Sequence, residues 1–280
     1  MTHHYITVNG IRMHYVEQGR GPLVVLLHGF PEFWYGWRHQ IPVLAQRYRV
    51  VAPDLRGYNL SDKPLGVKNY SLDKLAADVA ALITALGETS AVIVGHDWGG
   101  AVAWTLASLH PELVTKLAVL NIPHPAEMKK ALYGFNWAQI KRSTYMFFFQ
   151  LPWLPERYIM RNIDSIFQRL FVSYSPARKA LTAEENAMYI AAFKQPGALT
   201  ASLNYYRAAF RYPVTLPQAK LPMPVLMLWG VHDKALGREL TVNTAQYCSQ
   251  LQLIYDETSG HFVQHDNPDW VNERLMEFIG

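Results

Sequence analysis

The segment Val94-Gly95-His96-Asp97-Trp98-Gly99-Gly100 constrains the fold of this chain more than any other. The apolar run at 91–94 reads as a strand arriving, and Ala101-Val102-Ala103-Trp104-Thr105-Leu106-Ala107 reads as a helix leaving. Only a tight turn fits between them, and glycines on both sides of the central residue are what a sharp, strained turn requires. The residue at the apex is an aspartate, where a serine is the more usual occupant of such a frame. A carboxylate presented there can attack an electrophilic carbon and form an ester on the protein itself. The aspartate therefore selects the chemistry.

Length and composition set the surroundings of that turn. A chain of 280 residues holds one α/β domain plus an insertion. The formal charge of +4 reads as spread along the sequence, with no Lys/Arg run longer than two, so no nucleic-acid partner is expected. The single cysteine, Cys248, has no internal disulfide partner and reads as a small core residue. There is no apolar signal region at the N-terminus and no run near the ~20 apolar residues of a spanning helix. A cytoplasmic protein with no membrane partner is the expectation. His3 and His4 read as exposed, outside any metal-ligand spacing.

Strand-like runs occur at 12–16, 23–27, 49–52, 91–94, 117–120, 225–229 and 251–255, most of them continuously apolar, as in strands covered on both faces. Helical patterns lie between them. The clearest follows Ser71, a candidate N-cap, and places Leu72, Leu75, Ala76, Val79, Leu82, Ile83 and Leu86 on one face before Gly87. The alternation stops between about Pro123 and Pro217, where aromatics such as Trp137, Tyr145, Phe147 and Trp153 replace strand patterns. This predicts a helical cap at residues 124–216, inserted between a first core segment, 1–123, and a second, 217–280.

The frame Gly95-His96-Asp97-Trp98-Gly99 resembles the nucleophile elbow of the α/β-hydrolase fold. That resemblance implies a mostly parallel central sheet flanked by helices, and a triad in the chain order nucleophile, acid, histidine. The histidine in the expected place is His261, in Ser259-Gly260-His261-Phe262 after the strand at 251–255. The acid is Asp233, in Gly230-Val231-His232-Asp233 after the strand at 225–229. The other slot some relatives use for the acid, after 117–120, holds Asn121, which carries no charge. His96 reads as a structural hydrogen-bonding residue and His265 as pointing elsewhere. His28-Gly29-Phe30-Pro31 follows a buried strand and supplies the backbone N–H of Phe30, which with that of Trp98 forms an oxyanion hole.

Residues 28–42, together with Asp54-Leu55-Arg56-Gly57-Tyr58, the elbow and Gly260-His261-Phe262, closely resemble the α/β-hydrolase epoxide hydrolases over nearly the whole chain. Asn59 departs from the glycine relatives often carry there, a change that asparagine's tolerance of left-handed backbone absorbs. The resemblance implies two cap tyrosines that hold and protonate the epoxide oxygen. Tyr145 in Tyr145-Met146-Phe147-Phe148-Phe149-Gln150 and Tyr206 in Leu203-Asn204-Tyr205-Tyr206-Arg207 occupy those places, with Tyr205 the alternative if the register slips by one. It implies an epoxide and water as partners, no metal or organic cofactor, and a monomer or homodimer. Trp34, Phe148, Trp153 and Phe262 are expected to line the substrate pocket, with Phe147, Phe149 and Met188 adding to an apolar wall. Haloalkane and fluoroacetate dehalogenases share the core motifs. The former often carry Asn where this chain has Phe30, and the latter commonly carry Arg where it has Trp98. A ligand-binding relative without catalysis is the remaining alternative.

Overall fold

The computed structural model describes residues 1–174 and 181–280. The described residues form one sheet in the order β1-β2-β4-β3-β5-β6-β7-β8: β1 (Thr2–Val8), β2 (Ile11–Gln18), β3 (Leu23–Leu27), β4 (Arg49–Pro53), β5 (Ala91–His96), β6 (Val114–Leu120), β7 (Leu221–Gly230) and β8 (Cys248–Asp256). The β1–β2 and β2–β4 pairs are antiparallel and all others parallel. Every residue of β3 and β5 is buried, the condition that their unbroken Val/Ile/Leu runs satisfy.

Of the helices, α1 (Ile41–Leu44), α2 (Leu72–Ala85) and α3 (Trp98–Leu109) precede β6. Then come α4 (Pro125–Tyr133), α5 (Trp137–Arg142), α6 (Thr144–Phe148), α7 (Leu154–Arg161), α8 (Ile163–Tyr174), α9 (Ala183–Lys194) and α10 (Ala198–Arg211), all between β6 and β7. The chain closes with α11 (Val263–Asp266) and α12 (Pro268–Ile279). Ser71 stands at the N-cap of α2, but its hydroxyl donates back to the Lys68 carbonyl instead of capping. Thr182 and Glu185 close a reciprocal capping box on α9.

The sequence reading missed β1. Thr2–Val8 is an edge strand whose side chains are largely exposed, so it lacks the apolar run that marks the inner strands. Its partner β2 gives it a register that only the pairing reveals: His3 lies opposite Val16 and His4 opposite Tyr15. His3 is exposed as expected, yet its Nδ1 lies 2.9 Å from Nε2 of the buried His14.

The crossing of α3 over the ends of β3 and β5 fixes the elbow. A Cβ on Gly99 would stand 2.1 Å from the Leu27 carbonyl oxygen, so glycine is what lets the helix start this close to the sheet. Gly99→Ala is expected to cost about 3 kcal/mol, the upper range for overpacking, read as a lower urea midpoint at unchanged slope.

Candidate active site

Asp97 leaves β5 at φ 48°, ψ −120°, a region that side-chain-bearing residues seldom enter. The neighbours that hold it there are small. Gly29 leaves room for Asp97, since a Cβ on it would lie 2.4 Å from that of the aspartate. The Phe30 N–H donates to Asp97 Oδ1 at 2.8 Å. The Trp98 N–H opens α3, among the first-turn donors that have no acceptor inside a helix. Of the two amides expected to form an oxyanion hole, that of Phe30 contacts the carboxylate and that of Trp98 directly follows it at the start of α3.

His261 lies after β8, its own N–H anchored on the Tyr174 carbonyl at 2.7 Å. Its Nδ1 is 2.8 Å from Asp233 Oδ2, and its Nε2 faces Asp97 Oδ2 at 3.6 Å, an ion-pair separation. Asp233 is itself fixed: Oδ1 accepts from the Ala235 and Leu236 amides at 2.7 and 2.9 Å, and Oδ2 accepts from Asn121 Nδ2 at 2.8 Å. Asn121, at the end of β6 with φ 45°, also accepts from the Gly230 N–H. Sequence reasoning set Asn121 aside as an uncharged substitute for the acid. The structure makes it the side chain that aims the acid at the end of the neighbouring strand, and its position in the alternative acid slot was the signal.

Burial alone would raise the Asp97 carboxyl and lower the His261 imidazole. In both cases the partner prevails. Contact with His261, and then the Phe30 amide, hold Asp97 below the ordinary carboxylate range. Asp233 and then Asp97 lift His261 to about 10. The resting site is thus an imidazolium between two carboxylates.

Tyr145 on α6 and Tyr206 on α10 face this group with ring centroids 5.8 Å apart. Burial pushes both phenols well above 10, and the Asp97 charge pushes further in the same direction, so both stay protonated donors. Tyr205 turns away and donates to the Arg56 carbonyl at 2.7 Å. Consecutive residues on a helix point about 100° apart, which is how one of an adjacent pair enters the cavity and the other does not.

Among the described residues, two cavities meet at Asp97, Tyr145 and Tyr206. One, of about 120 Å³, is walled by Phe30, Phe149, Leu170, Tyr174, His261 and Phe262. The other, of about 390 Å³, runs past Trp98, Met128, Leu132, Met146 and Phe210 toward Lys129 and Tyr133. Of Trp34, Phe148, Trp153 and Phe262, expected to line the pocket, Phe262 lines one of these two cavities, as does Phe149, expected to add to the apolar wall. Trp34 is buried at the start of a short helical turn, Trp34–Trp37, edge-on to His3 of the N-terminal strand at 5.4 Å. Phe148 packs on Phe149 and Tyr158 and lines neither of the two cavities. Trp153 is 66% exposed at the start of α7, and Phe147 and Met188 are also exposed. Leu170, Tyr174 and Ala235 went unnoticed, since nothing in an apolar pattern separates a wall from a core.

Behind the site, fully buried Glu32 joins His96 Nδ1 at 3.0 Å, Gln264 Nε2 at 2.9 Å and His265 Nε2. Burial would raise its carboxyl, but the charges and hydrogen bonds of His265 and His96 hold it well down. His96 Nε2 also reaches the His261 carbonyl at 2.8 Å, which is the structural role expected of it. No group of three or more His, Cys, Asp or Glu among the described residues is arranged to hold a metal ion.

Fold and site together define an α/β hydrolase, and the family model described as alpha/beta hydrolase fold matches residues 22–268. The AB hydrolase superfamily protein YfhM of Bacillus subtilis (strain 168) is 44% identical over 98% of this chain and 96% of its own. Epoxide hydrolase 4 of Homo sapiens is 41% identical over 99% of this chain and 79% of its own. A mutant epoxide hydrolase of Bacillus megaterium, solved with its product (R)-3-[1]naphthyloxy-propane-1,2-diol, superposes with a TM-score of 0.89 at 33% identity, covering 99% of both chains. The chain belongs to the epoxide hydrolase family of the α/β-hydrolase superfamily.

The ion pair makes stability depend on pH with a definite sign. The folded pKa of His261, about 10, lies above its unfolded value of 6.5. Its contribution is therefore complete below pH 6.5 and lost as pH rises through 10. The stability advantage of the wild type over His261→Gln should shrink steadily from pH 6.5 to 10 in urea titrations. A constant or growing difference would contradict the charge assignment.

Proposed function

We propose that this protein hydrolyses an apolar epoxide to a vicinal diol, through a hydroxyalkyl ester on Asp97. The observation that carries this reading is the sharing of one cavity wall by Asp97 and the two tyrosines, Tyr145 and Tyr206. A carboxylate facing protonated phenols suits an electrophile whose leaving oxygen must be protonated without leaving the molecule. Residues 124–216 act as a cap that supplies those phenols to the core.

In the first half-reaction an Asp97 oxygen bonds to an epoxide carbon as that carbon's C–O bond breaks. The freed alkoxide takes a proton from Tyr145 or Tyr206. Esterification removes the Asp97 charge, which is one of the groups holding the proton on His261. The imidazolium then returns a proton to the tyrosinate and becomes a neutral base. In the second half-reaction His261, oriented by Asp233, takes a proton from water as the hydroxide adds to the ester carbonyl. The Phe30 and Trp98 amides hold the oxyanion. Collapse of the tetrahedral centre expels the second oxygen, which leaves as a hydroxyl with the carboxyl proton. Asp97 is again a carboxylate and His261 again an imidazolium, so the protons balance over one turnover.

The unequal cavities support a substrate with a small substituent on one epoxide carbon and a bulkier apolar one on the other. All the reacting groups come from one chain, so a monomer and a homodimer serve equally. Buried Cys248, whose thiol burial pushes up to about 11, suits the reducing cytoplasm.

The test is a side-by-side assay of styrene oxide, trans-stilbene oxide, 1-chlorohexane and fluoroacetate. Diol without halide is expected, whereas halide without diol would assign the same core to a dehalogenase. An epoxide that raises the melting temperature while no diol forms would point to a binder.

In His261→Gln, alkylation should outrun hydrolysis, leaving an adduct on Asp97 visible in intact-protein mass spectra. Replacing Tyr145 or Tyr206 by Phe should each lower kcat/KM on the order of 100-fold, the lower range for a lost general acid. In single turnovers the alkylation rate should be flat from pH 6 to 9 while ester hydrolysis gains with pH, because only the second step needs neutral His261. Parallel pH profiles would overturn this assignment of the proton.

A further inference from the structure

The cap carries an exposed aromatic and basic surface that the hydrolytic cycle leaves unused. Trp137 is 72% exposed, Phe135 68%, Trp153 66% and Tyr133 62%. Exposure on this scale is unusual for side chains that gain so much from burial. These residues follow a pattern. Lys129 and Tyr133 on α4, Trp137 and Lys141 on α5, and Trp153 and Arg157 at the start of α7 are each four residues apart, so that each pair puts an aromatic beside a cation along its own helix. Exposed Lys129, Lys141, Arg157, Arg161 and Arg169 enter no ion pair among the described residues.

The acids nearby do not neutralise them. Within residues 124–174, Glu127 is tied to Lys130 and Glu156 to Arg207, leaving Asp164 as the exposed acid. The positive charge that reads as spread along the sequence is thus concentrated in residues 124–174, the segment that also carries the exposed aromatics. The larger cavity opens there too, with Lys129 and Tyr133 on its wall.

We propose that this face of the cap docks the protein on an anionic lipid surface. Trp and Tyr rings settle at the headgroup level of a bilayer, and flanking Lys and Arg are drawn to anionic headgroups. A second copy of the chain is the poorer occupant, because two such faces meeting across a two-fold axis would oppose like charges. No described helix is long and apolar enough to cross a membrane, and docking on the surface requires none. Docking would bring the mouth of the larger cavity to a phase in which apolar molecules concentrate. The proposal does not depend on turnover, since its test reads binding.

The test is cosedimentation of the full chain with vesicles of equal parts phosphatidylglycerol and phosphatidylcholine, against pure phosphatidylcholine vesicles. Binding is expected to the first, to weaken as salt is raised, and to be slight to the second. Lys141→Ala with Arg157→Ala should weaken partitioning roughly 25-fold, the effect of two cations near an anionic leaflet. Trp137→Ala with Trp153→Ala should also lower it, and both double variants should keep the wild-type melting temperature. Equal binding to both vesicle types, no binding to either, or variants that bind like the wild type would overturn the proposal. So would a dimer in sedimentation velocity that Trp137→Ala converts to monomer, since a second copy would then cover the face.

Discussion

The buried charge triplet Asp97–His261–Asp233 is the interaction on which the rest of the structure depends. Three ionisable groups, each at most 8% exposed, sit where isolated charges would be costly. They are tolerated because the cation lies between the anions and because each carboxylate has further donors: the Phe30 amide for Asp97, and two amides plus Asn121 for Asp233. Removing one member from such a group leaves an uncompensated buried charge. The parallel sheet is what allows the assembly, since the ends of β5, β6, β7 and β8 bring Asp97, Asn121, Asp233 and His261 to one edge.

The same triplet links resting electrostatics to the proposed cycle. An imidazole that two neighbouring carboxylates hold protonated is a poor base at neutral pH. In the proposed cycle, esterification of Asp97 would remove one of the two anions, so that His261 becomes a base once there is an ester to hydrolyse. The strained backbone of Asp97 serves this arrangement, because it aims the carboxylate at the cavity while the Gly29 and Gly99 contacts hold the turn.

The insertion between β6 and β7 contributes differently. Its inward side provides Tyr145, Tyr206, Phe149 and Tyr174 to the cavities, while exposed on it are Trp137, Trp153 and cations that enter no ion pair among the described residues. Aromatic residues are thus distributed over both sides, and composition alone assigned several to the wrong one. Phe148 and Trp153 were expected inside, and a rotation of one helical position or the start of a helix puts them elsewhere.

The sequence by itself determined the elements tied to local chemistry. Gly95-His96-Asp97-Trp98-Gly99 forces a turn, apolar runs force inner strands, and residues directly after strands 7 and 8 arrive at the sheet's edge, so Asp97, Asp233 and His261 were legible without coordinates. Edge strand β1 was not, because its pattern is weak and its stability comes from pairing with β2. Tertiary structure alone decided that Asn121 holds Asp233, that Tyr206 and not Tyr205 faces the site, and which aromatics line a cavity. Those facts depend on contacts between distant segments, 112 residues apart for Asn121 with Asp233 and 149 for Tyr205 with Arg56, and on the rotation of each helix against its neighbours. Local sequence pattern carries the period of an element but not the direction from which its partners approach.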